Sequence, residues 1–177
     1  FSAAGLHVWH VEQIPTHGGS LRIYGCHIEN KKSLSNELQI LLKKEAMLEM
    51  QTVKPYTNFQ QRADKIKNDL LEFLIMQKKC GKSIAAYGAA AKGNTFLNYA
   101  GVKPDLLPFV CDASPGKQNK FMPGSHIAIL SPQAIIKSKP DYVLILPWNI
   151  AEEVKLQLSK DISETQFVVA IPELKCV

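Results

Sequence analysis

The sequence has few cysteines and pairs none of them. Cys26, Cys80, Cys111 and Cys176 are scattered along the 177 residues with no Cys-x-x-Cys and no metal-ligand spacing. That pattern excludes a disulfide framework, leaves no metal site to expect, and points to a reducing, cytoplasmic setting. Long apolar runs are missing too. The longest, from Tyr142 to Trp148, is far shorter than the roughly 20 residues of a membrane span, so no membrane partner is expected. The lysines are not interleaved with aromatic residues, which excludes a nucleic-acid surface. The first residues lack the basic start and apolar stretch of a secretory signal, and Phe1 stands where a Met would open a complete chain. The expectation is a piece cut from a longer protein. No Ser/His/Asp set, carboxylate pair or metal cluster can be assembled with defensible spacing.

What is present is a globular composition, 46% hydrophobic and 21% charged, with a net charge of +5 that suits a small anionic ligand while most lysines serve as solvated faces. Three sections separate by pattern. In residues 1–30, "FSAAG" reads as the tail of a helix, and "LHVWHVEQIP" and "SLRIYGCHIE" as antiparallel strands joined by "THGG". A two-stranded ribbon is marginal alone, so this one should lean on something larger. Residues 31–81 read as a helical connector. Ser33 or Ser35 caps a helix carrying Leu38, Leu41, Leu42, Ala46 and Met50, and Pro55 interrupts. Asn58 caps a second helix with the stripe Phe59, Ala63, Ile66, Leu70, Phe73 and Leu74, stopped at Gly81.

Residues 82–177 alternate strand and helix. "SIAAYG", "LLPFVCD", "DYVLILPW" and "QFVVAIP" are continuous apolar runs, as parallel strands buried on both faces must be. Between them lie the helical segments "GNTFLNYAG", "SPQAIIKSK" and "NIAEEVKLQLSKDI". The expected fold is therefore α/β and Rossmann-like, a mostly parallel sheet with flanking helices, preceded by a β-hairpin remnant and a helical segment.

In such a sheet ligands bind beyond the carboxyl ends of the strands, where helix N-termini present unpaired N–H groups. "YGAAAKGNTF" sits at such a place. Gly88 lets backbone approach a ligand, Ala89 keeps the wall small, Lys92 adds a cation, and Gly93, Asn94 and Thr95 open a helix that Asn94 or Thr95 can cap. The segment has a G-x-x-x-x-G-x-T outline but Asn94 stands where a Walker A lysine is required, and G-x-G-x-x-G is absent. Asp112 ends the next strand 24 residues after Gly88, about where an acid meets ribose hydroxyls; it can equally cap the turn after it. Lys117 follows in a turn-rich loop. Trp148 and Asn149 close the third strand at the same edge and suit a base or sugar; equally, Trp148 packs on the sheet rim and Asn149 caps the next helix. His17, beside Gly18 and Gly19, offers a supporting contact at most.

Four segments then fall into place together: "VEQIPTHGGSLRIY", "YGAAAKGNTFLNYAG", "VCDASPGKQNKFMPGSHIAI" and "PDYVLILPWNIAEEV". In this order they resemble the C-terminal part of S-adenosylmethionine-dependent C-methyltransferases that act on nucleotide-linked deoxysugars. The resemblance implies a three-part protein with a zinc-binding segment, a methyltransferase domain and a C-terminal Rossmann-like domain that holds a nucleotide-diphosphate sugar. Residues 1–30 would be the last two strands of the methyltransferase domain and residues 82–177 the Rossmann-like domain. The zinc cysteines, the S-adenosylmethionine loop and the His/Glu acid-base segment would lie upstream of Phe1. This fragment is then expected to bind no cofactor and to methylate nothing by itself, with the missing methyltransferase domain as its partner. Two other readings stay open: a ligand-free structural or homo-oligomerising domain, and an NAD- or CoA-type nucleotide-binding module.

Overall fold

The structure, a computed structural model, describes residues 1–177. The chain divides into two compact units, Phe1–Phe59 and Gln60–Val177.

In the first unit, alternation in both β-rich runs produces an antiparallel pair, β1 (Leu6–Ile14) and β2 (Ser20–His27), with Leu6 opposite His27 and Ile14 opposite Ser20. The helix tail expected before β1 is a single 3-10 turn, Ser2–Ala4. Helix α1 (Asn36–Met47) starts at Ser35, not Ser33. The Ser35 hydroxyl accepts the Leu38 N–H at 3.2 Å, satisfying one of the orphan donors of the first turn. Of the stripe expected on α1 only Leu38 is buried, while Leu42 is half-exposed and Met50 lies beyond the helix end.

The second unit opens with α2 (Phe59–Lys79) and holds β3 (Ile84–Tyr87), α3 (Ala91–Ala100), β4 (Phe109–Cys111), β5 (Lys120–Phe121), β6 (Ala128–Leu130), α4 (Gln133–Ser138), β7 (Tyr142–Ile145), α5 (Ala151–Leu158), β8 (Gln166–Val169) and β9 (Lys175–Cys176). The seven strands form one sheet in the order β5-β6-β4-β3-β7-β8-β9. The inner five are parallel, and only the two-residue edge strands β5 and β9 run antiparallel. This is the mixed α/β, mostly parallel architecture that the apolar runs require.

Period-2 alternation in a doubly covered sheet sends successive side chains to opposite cores. Ile84 and Ala86 enter one, with Leu144, Leu146 and Val110, under Leu70 and Leu74 of α2 and Phe96 and Leu97 of α3. Ala85 and Tyr87 enter the other, with Val143 and Ile145, under Ile135 of α4 and Val154 and Leu158 of α5. Chain direction reverses at β3: the chain moves outward through β4 and β6, then returns to add β7 and β8 on the other side. The ends of β3 and β7 are therefore the topological switch point, where open α/β sheets bind ligands. No helix is long and apolar enough to cross a membrane.

Candidate functional site

The switch point is built from three turns. After β3, Gly88 takes φ +94° and its N–H donates to the Cys111 carbonyl at 2.7 Å, tying the turn to β4. A Cβ at Gly88 would overlap Pro147 Cδ and lie 2.8 Å from its Cγ. The glycine is thus needed twice, for its backbone and for the proline packed on it. Gly93 has a packing reason as well: a Cβ there would lie 2.7 Å from Leu146 Cβ, so α3 sits close on β7.

Helix α3 begins at Ala91, two residues earlier than the sequence suggests, with Ala90 as its cap and no side-chain capping bond. Neither Asn94 nor Thr95 caps it. The Thr95 hydroxyl donates back to the Ala91 carbonyl at 3.1 Å, and the Asn94 Oδ1 is buried with no hydrogen-bond partner. The capping residues are too late by a turn because the small side chains of Ala89 to Ala91 let the chain coil at once. Lys92 consequently rides on the first turn of α3, and its Nζ lies 5.5 Å from the centroid of the Trp148 ring, within cation–π reach.

Asp112 lies at the carboxyl end of β4, buried, and is engaged on both oxygens. Oδ2 accepts the Ala89 N–H at 2.8 Å and the Lys117 ammonium at 3.0 Å, while Oδ1 accepts the Ser114 N–H at 2.8 Å. The Gln118 side-chain amide donates to the Asp112 carbonyl at 2.9 Å. This carboxylate clamps the Gly88 turn to the loop after β4. Two neighbours show how dry the corner is. Burial, with the Asp112 charge second, raises the Tyr87 hydroxyl, and burial pushes the Cys111 thiol up to about 11, so that thiol stays protonated and donates to the Ser131 carbonyl.

The third turn follows β7. Trp148 to Ile150 form a 3-10 turn ahead of α5, whose cap position is Ile150; Asn149 therefore does not cap the helix, and it is exposed. Trp148 and Asn149 line a hollow of about 310 Å3 at the ends of β7 and β8, together with Glu153, Ile171, Pro172 and Lys175. The structure thus brings Gly88, Ala89, Lys92, Gly93, Asn94, Thr95, Asp112, Lys117, Trp148 and Asn149 to one edge of one sheet. His17 belongs to the other unit, in the 3-10 turn between β1 and β2. Two contributors were not legible in the sequence. Pro147 looked like the end of a strand, and Lys175 reaches this edge only because β9 doubles back beside β8. Among the described residues, no group of His, Cys, Asp or Glu can hold a metal ion.

The fold and the edge cluster define a doubly wound α/β domain with its polar and aromatic groups gathered at the switch point. Residues 15–172 match the family described as C-methyltransferase C-terminal domain, and the chain belongs to that family. It is also similar to the C-methyltransferase NovU of Streptomyces niveus, 30% identical over 179 residues that take in the whole of this chain. The chain spans 42% of that relative's length.

Proposed function

We propose that this chain is the substrate-holding C-terminal part of an S-adenosylmethionine-dependent C-methyltransferase whose substrate is a nucleotide-diphosphate deoxysugar, working in a reducing, cytoplasmic setting. Family membership supports the enzyme class, and the name of the NovU relative is consistent with it. One observation carries the ligand reading: at the switch point an exposed lysine stands over a tryptophan face beside the start of a helix with no side-chain cap. A helix N-terminus and a cation favour phosphate oxygens, and an aromatic face favours a base or sugar.

S-adenosylmethionine supplies the methyl group to enzymes of this kind, and the corner described above does not fit it. A nucleoside cofactor in this architecture is held by an acidic strand end on its ribose hydroxyls. Asp112, the acid in that position, is committed to Ala89, Ser114 and Lys117, and Pro147 fills the space in front of Gly88. In this proposal the cofactor, the general base and the methyl-transfer step belong to residues outside this chain. Residues 1–30 close the methyltransferase domain, residues 31–81 connect, and residues 82–177 bind and orient the sugar nucleotide.

A second reading, a scaffold domain that binds no nucleotide, draws on Gly88 and Gly93, since packing alone accounts for both. Calorimetric titration of the intact protein with nucleotide-diphosphate sugars separates the two. Lys92→Ala should weaken binding about tenfold or more, the size of a lost charge-assisted contact, with thermal stability unchanged. Asp112→Asn should weaken binding and lower the melting temperature together, because it loosens the clamp. Absence of binding to the unaltered protein, or equal isotherms for Lys92→Ala, rejects the ligand reading in favour of the scaffold.

A further inference from the structure

The hollow at the ends of β7 and β8 is not a second phosphate seat. Helix α5 opens onto it with Glu152 and Glu153 in its first turn. Two carboxylates there repel an anion and cancel the attraction of the helix end, and the one ammonium on the wall, Lys175, leaves the lining net negative. Helix α3, one strand away, has no acidic residue in its first turn and carries Lys92. Trp148 belongs to both places: the Lys92 ammonium lies 5.5 Å from its ring centroid, and the same residue lines the hollow.

The size of the hollow is also selective. At about 310 Å3 it lies at the bottom of the range for small-molecule sites and accommodates one ring, so the rest of a sugar nucleotide extends out of it. Its wall is mixed. Val169, Ile171 and Pro172 offer apolar surface, and the exposed Asn149 amide offers one acceptor and two donors at the rim.

We infer that this hollow is a subsite for the uncharged planar ring of the ligand, its nucleobase, which stacks on Trp148 and presents its edge to Asn149, while the diphosphate lies on the Lys92 side. The inference rests on the proposed nucleotide ligand and assigns its two ends to different turns. Glu152 and Glu153 act as the element that fixes the direction, since the reversed ligand would set phosphates against two carboxylates. The return of the chain through Pro172 to Lys175 forms the outer wall, so these residues help to choose the base.

The test uses the intact protein with Trp9 and any tryptophan outside this chain replaced by Phe, so that Trp148 is the single tryptophan reporter. Its emission is followed during titration with nucleoside diphosphates, with the matching uncharged nucleosides, and with inorganic pyrophosphate, and binding is measured in parallel by calorimetry. A nucleoside diphosphate and its nucleoside should both change Trp148 emission, and pyrophosphate should compete with the diphosphate. Asn149→Ala should weaken the nucleoside about tenfold and leave pyrophosphate affinity as it was; Lys92→Ala should do the reverse. If a nucleoside diphosphate binds by calorimetry while Trp148 emission stays constant, or if Asn149→Ala and Lys92→Ala weaken both probes alike, the subsite is overturned and the proposed function stands. If no nucleotide or nucleoside binds at all, both fall.

Discussion

An alanine at Gly88 would have to hold φ near +94° and push its methyl into the ring of Pro147. The left-handed backbone alone costs about 1–3 kcal/mol for a side-chain-bearing residue. Gly88→Ala should therefore lower unfolding free energy by at least that amount in chemical denaturation, and Pro147→Ala in the same chain should recover only the part due to overlap. A double-mutant cycle measures that coupling, and a coupling of zero would mean that Pro147 does not press on the turn. The glycine was visible in the sequence as a place where backbone can come close to something. That the something is Pro147, 59 residues further on and just past the end of β7, was not, because no local pattern encodes a contact across the switch point. Asp112 has the same lesson. Its place at a strand end could be counted from Gly88, but only the fold shows its oxygens engaged by Ala89, Ser114 and Lys117.

Among the elements, α3 shows how packing overrides propensity. Glycine inside a helix costs about 1 kcal/mol relative to alanine, so Gly93→Ala should stabilise α3 if the helix stood alone. Against β7 the added methyl would lie 2.7 Å from Leu146 Cβ, and overpacking of that kind costs typically about 1–3 kcal/mol. The second effect should win, giving a lower denaturation midpoint and a displaced first turn that weakens the nucleotide binding proposed above. A more stable Gly93→Ala variant would show that α3 can move off the sheet freely. The edge strands β5 and β9 span only two residues each, too short for periodicity to declare them. By contrast the four long apolar runs were readable as β3, β4, β7 and β8, since only strands covered on both faces need such runs.

At the scale of the molecule, the two halves of the second unit's sheet are fastened at both ends of the β3–β7 seam. At the amino edge the Asp141 carboxylate accepts the Lys82 ammonium, the Ser83 N–H and the Ser83 hydroxyl, each at 2.8 Å. The Lys82 bond first, then the Ser83 N–H and hydroxyl, hold its pKa far below the ordinary aspartate range. A carboxyl with a lowered folded-state pKa contributes stability that is fully present above the unfolded value of about 3.9 and is lost as pH falls toward the folded one. Asp141→Asn should accordingly melt earlier than the unaltered protein at neutral pH, with the gap closing as the pH is taken below about 4. Thermal scans from pH 7 to pH 2.5 check this, and a gap independent of pH would remove the electrostatic explanation.

The sequence by itself determined the class of the second unit, the succession of its four apolar strands along the chain and the residues that would gather at the carboxyl edge, because burial on two faces is a local consequence of residue type. The direction of the strip Leu70, Phe73 and Leu74 was legible as well, though not the sheet it covers. Tertiary structure alone decided that Pro147 closes the space before Gly88, that Asp112 is a clamp, and that the open hollow lies one strand over, walled by Trp148 and by residues 171–175. Those outcomes depend on which chain segments meet across the switch point, and such meetings are set by the packing of the whole sheet.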